Sequence, residues 1–195
     1  MGKIFCVMGK SATGKDTIYK NLLHQNTLGL KRIVPYTTRP IREGEIEGRE
    51  YHFCTEADVQ RLEAEGRIVE LRAYDTVYGI WKYFTVNDGS ICLNRENYLL
   101  IGTLEAYIKI RDYFGQDVVV PIYIEVEDGE RLIRAISRER EQTIPKYEEM
   151  CRRFLADAKD FSEENLKAAE IEKRFHNFSL IETLVEIEAY IKAQI

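Results

Sequence analysis

The sequence has few cysteines, no excess of positive charge and no long apolar run. Its four cysteines are scattered and form no CxxC pair, so no disulfide scaffold is predicted and the thiols are expected to be reduced. A formal net charge of -5 gives no general attraction for nucleic acid or acidic lipid, because both are polyanions. Nucleic-acid binding is therefore not expected, and any anion site must be local.

The apolar runs also fall short of a membrane helix, which needs about eighteen consecutive apolar residues. The first run, residues 4–8, is too short for a signal sequence and leads directly into a glycine loop. We therefore expect no membrane association and a cytoplasmic location. Since no repeat, low-complexity tract or linker divides the 195 residues, one domain is predicted. No pattern in the sequence predicts an oligomeric state.

The sequence does contain apolar runs that alternate with segments of helical spacing. The predicted strands cover residues 4–8, 32–36, 68–71, 98–101 and 118–126. The predicted helices begin at Lys15, at two capping boxes (Thr55 with Asp58, and Ser179 with Glu182), and over residues 104–114, 131–140 and 147–161. Strands that alternate with helices predict a parallel sheet, and hence a three-layer α/β fold.

A phosphate loop follows the first strand. Residues 9–16, GKSATGKD, match GxxxxGK and lie between a buried strand and an amphipathic helix. Backbone N–H groups and the positive helix end there are suited to surround a phosphate, with the lysine reaching the transferred phosphoryl group. A plain glycine turn is disfavoured because such turns rarely carry that lysine. The predicted nucleotide ligands are Gly9, Lys10, Ser11, Ala12, Thr13, Gly14, Lys15, Asp16 and Thr17.

Asp16 departs from this motif, which usually has serine or threonine there. A carboxylate adds a full negative charge beside the polyphosphate. Two interpretations stay open: Asp16 is a Mg²⁺ ligand, or it only complements the dipole at the start of the helix.

Residues 37–53, TTRPIREGEIEGREYHF, closely resemble the acceptor-binding segment of guanylate kinases. Arg39 and Arg42 carry forked guanidinium donors that suit bidentate phosphate binding, and Tyr51 adds a hydroxyl. Without the resemblance, the many charges of this segment would favour a solvated loop. With it, the three residues are predicted to bind the phosphate of a monophosphate acceptor.

The resemblance extends over nearly the whole chain and implies a P-loop NTPase fold with ATP and Mg²⁺ as cofactors and GMP as acceptor. It implies a core over residues 1–34, 96–136 and 155–195, an acceptor-binding insertion over 35–95 and a lid over 137–154. It places Glu70 on guanine and Tyr78 on the acceptor phosphate. The lid arginines Arg134, Arg138 and Arg153 would neutralise the phosphoryl group in flight, and Asn177 would lie near adenine. The implied catalytic set is Lys15, Arg39, Arg138 and Arg153.

The chain departs from the family where the base would bind. Pro35 and Ile80 stand where serines are implied, and Ile101 and Thr103 stand where carboxylates are implied. Lost hydrogen-bond partners erode base discrimination, so a second hypothesis is a kinase for another small phosphorylated metabolite, such as ribose bisphosphate. A third is an inactive binding module with a guanylate kinase-like fold. The leading hypothesis is phosphoryl transfer from ATP to GMP.

Overall fold

A computed structural model describes residues 1–24, 26–76 and 78–195. In chain order its elements are β1 (Ile4–Met8), α1 (Lys15–His24), a 3-10 turn (Asn26–Leu28), β2 (Leu30–Arg32), β3 (Tyr36–Thr37), β4 (His52–Phe53), α2 (Glu56–Ala64), β5 (Ile68–Thr76), β6 (Gly79–Val86), β7 (Asn97–Ile101), α3 (Leu104–Phe114), β8 (Val119–Glu125), α4 (Asp128–Arg140), α5 (Tyr147–Asp160), α6 (Glu163–Ala168), β9 (Arg174–His176) and α7 (Leu180–Gln194). Within these ranges no helix has the length and apolarity needed to cross a bilayer. The four cysteines are free thiols.

The central sheet has five parallel strands in the order β2-β7-β1-β8-β9. Its middle strand, β1, is buried throughout and divides its side chains between two cores. Cys6 packs in a cluster with Ile110 of α3, whereas Val7 packs in a cluster with Ile18 of α1 and Ile187 of α7. Helices therefore cover both faces of the sheet, which confirms the predicted three-layer α/β fold.

A second sheet, in the order β4-β3-β6-β5, lies within residues 36–86. Its main feature is the antiparallel hairpin of β5 and β6, which closes at Thr76 and Gly79. A small core under α2 contains Val59 and Phe84. Helix α2 begins at the predicted capping box, since Thr55 and Asp58 exchange both capping bonds.

Two predictions about secondary structure were wrong. Residues 32–36 are not one strand: β2 ends at Arg32 in the central sheet and β3 begins at Tyr36 in the second sheet. The chain passes between the two sheets at Pro35, which has no N–H to donate to a ladder. The second capping box is also absent, because the Ser179 side chain makes no cap hydrogen bond. Strands β4, β6 and β9 and helix α6 were not predicted.

Candidate functional site

The phosphate loop joins the carboxyl end of β1 to the first residue of α1, and its path is fixed by close packing. A Cβ atom at Gly9 would lie 2.4 Å from the carbonyl oxygen of Ile124, and one at Gly14 would lie 2.6 Å from the Asn177 amide nitrogen. Gly14 has a φ of 83° and Ala12 a φ of 63°. Alanine rarely adopts this left-handed conformation, so the surrounding contacts must hold the loop in place.

One of those contacts comes from Asn177, which follows β9 and is buried. Its Nδ2 donates to the carbonyl oxygen of Thr13 at 2.8 Å, and its Oδ1 accepts from the Thr183 hydroxyl at 3.4 Å. Arg134 Nη2 donates to the Asn177 carbonyl oxygen at 3.2 Å. The Asn177 amide thus holds the phosphate loop, and the implied position near adenine stays a prediction.

Lys15 lies at the start of α1 with 19% of its side chain exposed. Burial lowers its pKa below the usual value; the charges of Asp16 and Asp157 oppose this shift, and those of Arg153 and Arg138 add to it. Its Nζ is 3.7 Å from Asp16 Oδ2. Since Arg138 belongs to α4 and Arg153 to α5, residues from three helices contribute positive charge near Lys15.

The lowered pKa of Lys15 gives a testable pH dependence. Its amine loses its proton at a lower pH than an exposed lysine, whose pKa is about 10.4, because burial disfavours the charged form. In the ligand-free protein, the pH midpoint for modification of Lys15 by an amine-selective reagent should fall below that of a lysine in an unstructured model peptide. Mass spectrometry of the protein and the peptide measures both midpoints, and equal midpoints would contradict the expectation.

A pair of side chains that the sequence analysis missed holds both backbone groups of Ser11. Arg131 Nη1 donates to the Ser11 carbonyl oxygen at 2.9 Å, and Asp157 Oδ2 accepts from the Ser11 N–H at 2.6 Å. The two side chains lie 3.7 Å apart, Nη1 to Oδ2. We name Arg131 and Asp157 the Ser11 clamp. It ties the phosphate loop to α4 and α5, the two helices that also carry the lid arginines.

Arg131 is fully buried and has further partners. Its Nε and Nη2 donate to Asp128 Oδ1 at 3.0 and 2.7 Å, and the same oxygen accepts from Lys10 Nζ at 3.2 Å. Its guanidinium carbon lies 4.6 Å from the centre of the Phe154 ring. A buried cation with this many partners fixes the local geometry.

In the acceptor-like segment, Arg39 is buried and already holds a carboxylate. Its Nη1 and Nη2 donate to the two carboxylate oxygens of Glu45 at 2.8 and 2.5 Å. This hydrogen-bonded pair raises the pKa of Arg39 and lowers that of Glu45. The backbone N–H of Arg42, whose side chain is exposed, donates to the same carboxylate at 2.8 Å. The fork predicted to bind phosphate is therefore formed and occupied by an internal anion.

Tyr51 lies beside Arg39, since the Arg39 guanidinium carbon is 5.0 Å from the centre of the Tyr51 ring. Burial raises the pKa of Tyr51, and nearby Tyr83 raises it further, while Arg39 and Arg72 lower it. Tyr78 is not part of this group: its side chain is 81% exposed at the hairpin tip and stacks on Trp81. The tyrosine that contacts Tyr51 is Tyr83, with ring centres 5.7 Å apart.

Glu70, on β5, is buried beside an arginine. Arg72 Nε donates to Glu70 Oε2 at 2.9 Å and Arg72 Nη2 to Oε1 at 3.3 Å. The Thr85 hydroxyl donates to Oε1 at 3.0 Å, and Arg72 Nη1 donates to the Thr103 hydroxyl oxygen at 3.3 Å. The charge of the predicted base-reading carboxylate is therefore compensated inside the protein, which the sequence analysis did not foresee.

These groups line a narrow cavity between the two sheets. Its polar side chains are those of Glu70, Arg72 and Thr85, and its apolar wall includes Pro35 and Ile101. The space has room for about one water molecule. Two of the four positions where the resemblance implied hydrogen-bonding groups, Pro35 and Ile101, thus present apolar surface.

The predicted site residues fall into two groups. Lys15 lies with Arg138 and Arg153 at the phosphate loop, whereas Arg39 lies with Tyr51 near the Glu70 cavity. Across the described ranges no recorded contact joins the groups, and no cluster of three or more His, Cys, Asp or Glu side chains forms a metal site. Asp16 stands at the loop with 76% of its side chain exposed.

Comparisons with known proteins agree with this arrangement. Residues 1–177 match the family model described as guanylate kinase. Guanylate kinase of Neisseria gonorrhoeae is 38% identical over 100 residues, covering 51% of this chain and 46% of that protein. Guanylate kinase of Symbiobacterium thermophilum is 35% identical over 121 residues, covering 62% and 46%. The chain thus spans about half the length of these two relatives.

A solved structure supports the fold. The crystal structure of guanylate kinase from Anaplasma phagocytophilum matches 99% of this chain and 86% of its own, with a TM-score of 0.67 and 22% identity. The family model matched over residues 1–177 shows that the chain belongs to the guanylate kinase family.

Proposed function

We propose that this protein transfers the γ-phosphoryl group of ATP to GMP, giving ADP and GDP. The observation that carries the proposal is the convergence of Lys15, Arg138 and Arg153 at a phosphate loop in a member of the guanylate kinase family. Three cations there suit the charge on the equatorial oxygens of a phosphoryl group in transfer. An oxygen of the acceptor phosphate is the attacking atom, so no side-chain nucleophile is needed.

At the donor end, the amides of residues 9–15 surround the ATP phosphates and Lys15 contacts the transferred group. A lid over residues 137–154 contains Arg138 and Arg153. These two arginines close over the same phosphates, together with Arg134 from the preceding turn of α4. Asn177 acts on the donor through the carbonyl oxygen of Thr13, which it holds at 2.8 Å.

At the acceptor end, Arg39, Arg42 and Tyr51 bind the GMP phosphate within an insertion over residues 35–95. The phosphate takes the place of the Glu45 carboxylate on the Arg39 fork, since both are anions suited to bidentate guanidinium donors. Tyr78 lies at an exposed tip, so it contacts the phosphate only when that tip moves towards the cleft. Glu70 faces the base.

Mg²⁺ fits the donor end, since this ion is bound by one or two carboxylates together with substrate phosphates. Asp16 supplies an exposed carboxylate next to Lys15, 3.7 Å away. When bound, the ion would neutralise charge on the β- and γ-phosphates. The proposal also places the protein in the cytoplasm, with ATP and a monophosphate as its partners.

A coupled assay of ADP formation with GMP, dGMP, AMP and ribose bisphosphate tests the proposal. GMP should give the highest kcat/KM. The apolar positions Pro35 and Ile101 on the cavity wall favour the second candidate, a kinase for another phosphorylated metabolite, and ribose bisphosphate turnover above that of GMP would select it. Absence of ATP-dependent turnover with every acceptor would instead select an inactive binding module.

Arg39→Ala should lower kcat/KM for GMP by about 10²-fold and leave the KM for ATP unchanged, because two charge-assisted hydrogen bonds to the acceptor phosphate are lost. Arg49→Ala is the matched control: Arg49 lies in the same segment, is exposed and pairs with Glu50 at 2.7 Å, so a change of less than about twofold is expected. Steady-state kinetics with each substrate varied in turn measures both. Equal effects of the two substitutions would remove Arg39 from the acceptor site.

A further inference from the structure

The buried carboxylate of Glu70 already has the partners that its position requires. Each of its oxygens accepts a hydrogen bond from Arg72, and Oε1 also accepts one from Thr85. With 1% of the Glu70 side chain and 12% of the Arg72 side chain exposed, the two charges compensate one another away from solvent. Glu70 therefore needs no N–H donor from a substrate to satisfy it.

This matters for specificity because a site rejects an analogue strongly only when the missing group leaves a buried polar atom unpaired. The 2-amino group of guanine is the donor that distinguishes GMP from IMP. A substrate without it leaves the Glu70 oxygens with their Arg72 and Thr85 hydrogen bonds. The energetic cost that would enforce selection for the 2-amino group is absent.

Arg72 supplies the donor side of the cavity. Of the five N–H groups of a guanidinium, three are used by Glu70 and Thr103. Burial lowers the pKa of Arg72, but the charge of Glu70 and hydrogen bonds with the Glu70 and Tyr74 side chains raise it overall. With Tyr74 as a further partner, one N–H group of Arg72 remains for a ligand among the residues that the structure describes. Pro35 has no N–H and Ile101 has no polar side-chain atom, so Arg72 is the main source of donors on this wall.

We infer that Arg72 is a specificity-determining residue that makes the acceptor site one for 6-oxopurine monophosphates in general. This inference rests on the proposed function and names its substrate class. Arg72 donates to the carbonyl oxygen at position 6, which GMP and IMP share. AMP carries a donor amino group at that position and is rejected, because it would face the guanidinium with like polarity.

Tyr51 connects this cavity to the phosphate-binding fork. The charge of Arg39 and the charge of Arg72 both lower the Tyr51 pKa, against the larger effect of burial. Arg39 also lies 5.0 Å from the Tyr51 ring centre. The Tyr51 ring also contacts the ring of Tyr83, with centres 5.7 Å apart, and Tyr83 stands opposite Arg72 in the β5–β6 pair. Neighbouring side chains therefore connect the Arg39 fork to Arg72.

The first test needs no substitution. With ATP saturating, kcat/KM of the wild-type protein should be within about tenfold for GMP and IMP, and at least about 10²-fold lower for AMP. A preference for GMP over IMP above about 10³-fold would overturn the inference while leaving the proposed function intact. Absence of turnover with both 6-oxopurines would instead overturn the proposed function, so the two failures are distinguishable.

Arg72→Leu provides the second test. It leaves Glu70 with Thr85 as its remaining side-chain partner, so the carboxylate then gains from the 2-amino donor and the GMP preference over IMP should rise by at least about tenfold. Arg67→Leu is the control, since Arg67 lies just before β5 and pairs with Glu65 at the surface; its ratio should equal that of the wild type. An unchanged ratio in folded Arg72→Leu would overturn the inference.

A buried Glu70 carboxylate without its countercharge destabilises the folded state. The double variant Glu70→Gln/Arg72→Leu removes both charges and so avoids this loss of stability. With neither charge present, rejection of AMP should weaken by at least about tenfold relative to GMP, because the guanidinium donor is gone. Circular dichroism and thermal unfolding establish that each variant is folded before the ratios are compared. Full rejection of AMP by the folded double variant would show that Arg72 does not read the base.

Discussion

Lys15→Met should lower kcat for ATP-dependent phosphorylation of GMP by about 10²–10³-fold, with the fold intact. Methionine keeps the apolar stem of the side chain and removes the ammonium group. The charges of Asp16, Asp157, Arg153 and Arg138 all act on that group, and under the proposed function it would contribute to the positive field around the transferred phosphoryl group. Because the lost interaction is made mainly in the transition state, the KM for GMP should stay close to the wild-type value.

Lys20→Met is the control for this prediction, since Lys20 is exposed on the same helix. Its kcat should equal that of the wild type. Single-turnover measurements with saturating ATP separate the chemical step from product release. A Lys15→Met protein that turns over at the wild-type rate would mean that the phosphate loop is not the donor site.

Arg131→Met should produce the largest loss of stability. The substitution removes a fully buried cation and leaves Asp128 and Asp157 without their main countercharge. Breaking a buried pair by removing one partner costs about 3–5 kcal/mol, and we expect the lower end because Asp128 is 49% exposed. At about 2–4 °C per kcal/mol for a chain of this size, the Tm should fall by roughly 10 °C.

Differential scanning calorimetry measures this change, with Arg152→Met as the control. Arg152 is exposed on α5 and pairs with Glu149 at 2.7 Å, so its removal should change the Tm by no more than about 2 °C. Arg131→Met should also raise the KM for ATP, because Ser11 loses half of its clamp. A Tm equal to that of the control would show that the buried guanidinium contributes no net stability.

The parts of the fold that the sequence predicted well are those encoded by local patterns. The run of residues 4–8, the GxxxxGK spacing and the capping box at Thr55 each act within a few residues, and each was found where expected. The 32–36 strand failed because two sheets compete for adjacent residues on either side of Pro35. Hydrophobicity alone does not show which sheet a residue joins.

The contacts that organise the site are not local, and no pattern of neighbouring residues indicates them. Arg131 reaches Ser11 across 120 positions, and Asp157 reaches it across 146. Arg72 stands two positions from Glu70, yet its pairing depends on both side chains facing the same cavity, which alternation along β5 allows but does not require. The partners of Ser11 and Glu70 are therefore defined only by the assembled fold.

The resemblance implied residue roles, and the structure adds which side chains contact one another. The tyrosine beside Tyr51 is Tyr83 of β6, whereas Tyr78 lies at the exposed hairpin tip. The hairpin was missed as a unit because its tip, with Gly79 and Ile80 exposed, lacks the alternation that marks a half-buried strand. Alignment of short motifs finds the chemistry of a site more reliably than the partners of each side chain.

The Glu45 carboxylate on Arg39 has a consequence for the catalytic cycle. Before a substrate arrives, the guanidinium is held in its working orientation by a resident anion, so little reorganisation is needed when a phosphate exchanges with it. Under the proposed function, the same exchange would run in reverse after transfer, when the carboxylate competes for the Arg39 guanidinium. The net free energy of phosphate binding at Arg39 would then be small, which would favour rapid release of the nucleoside diphosphate over tight retention.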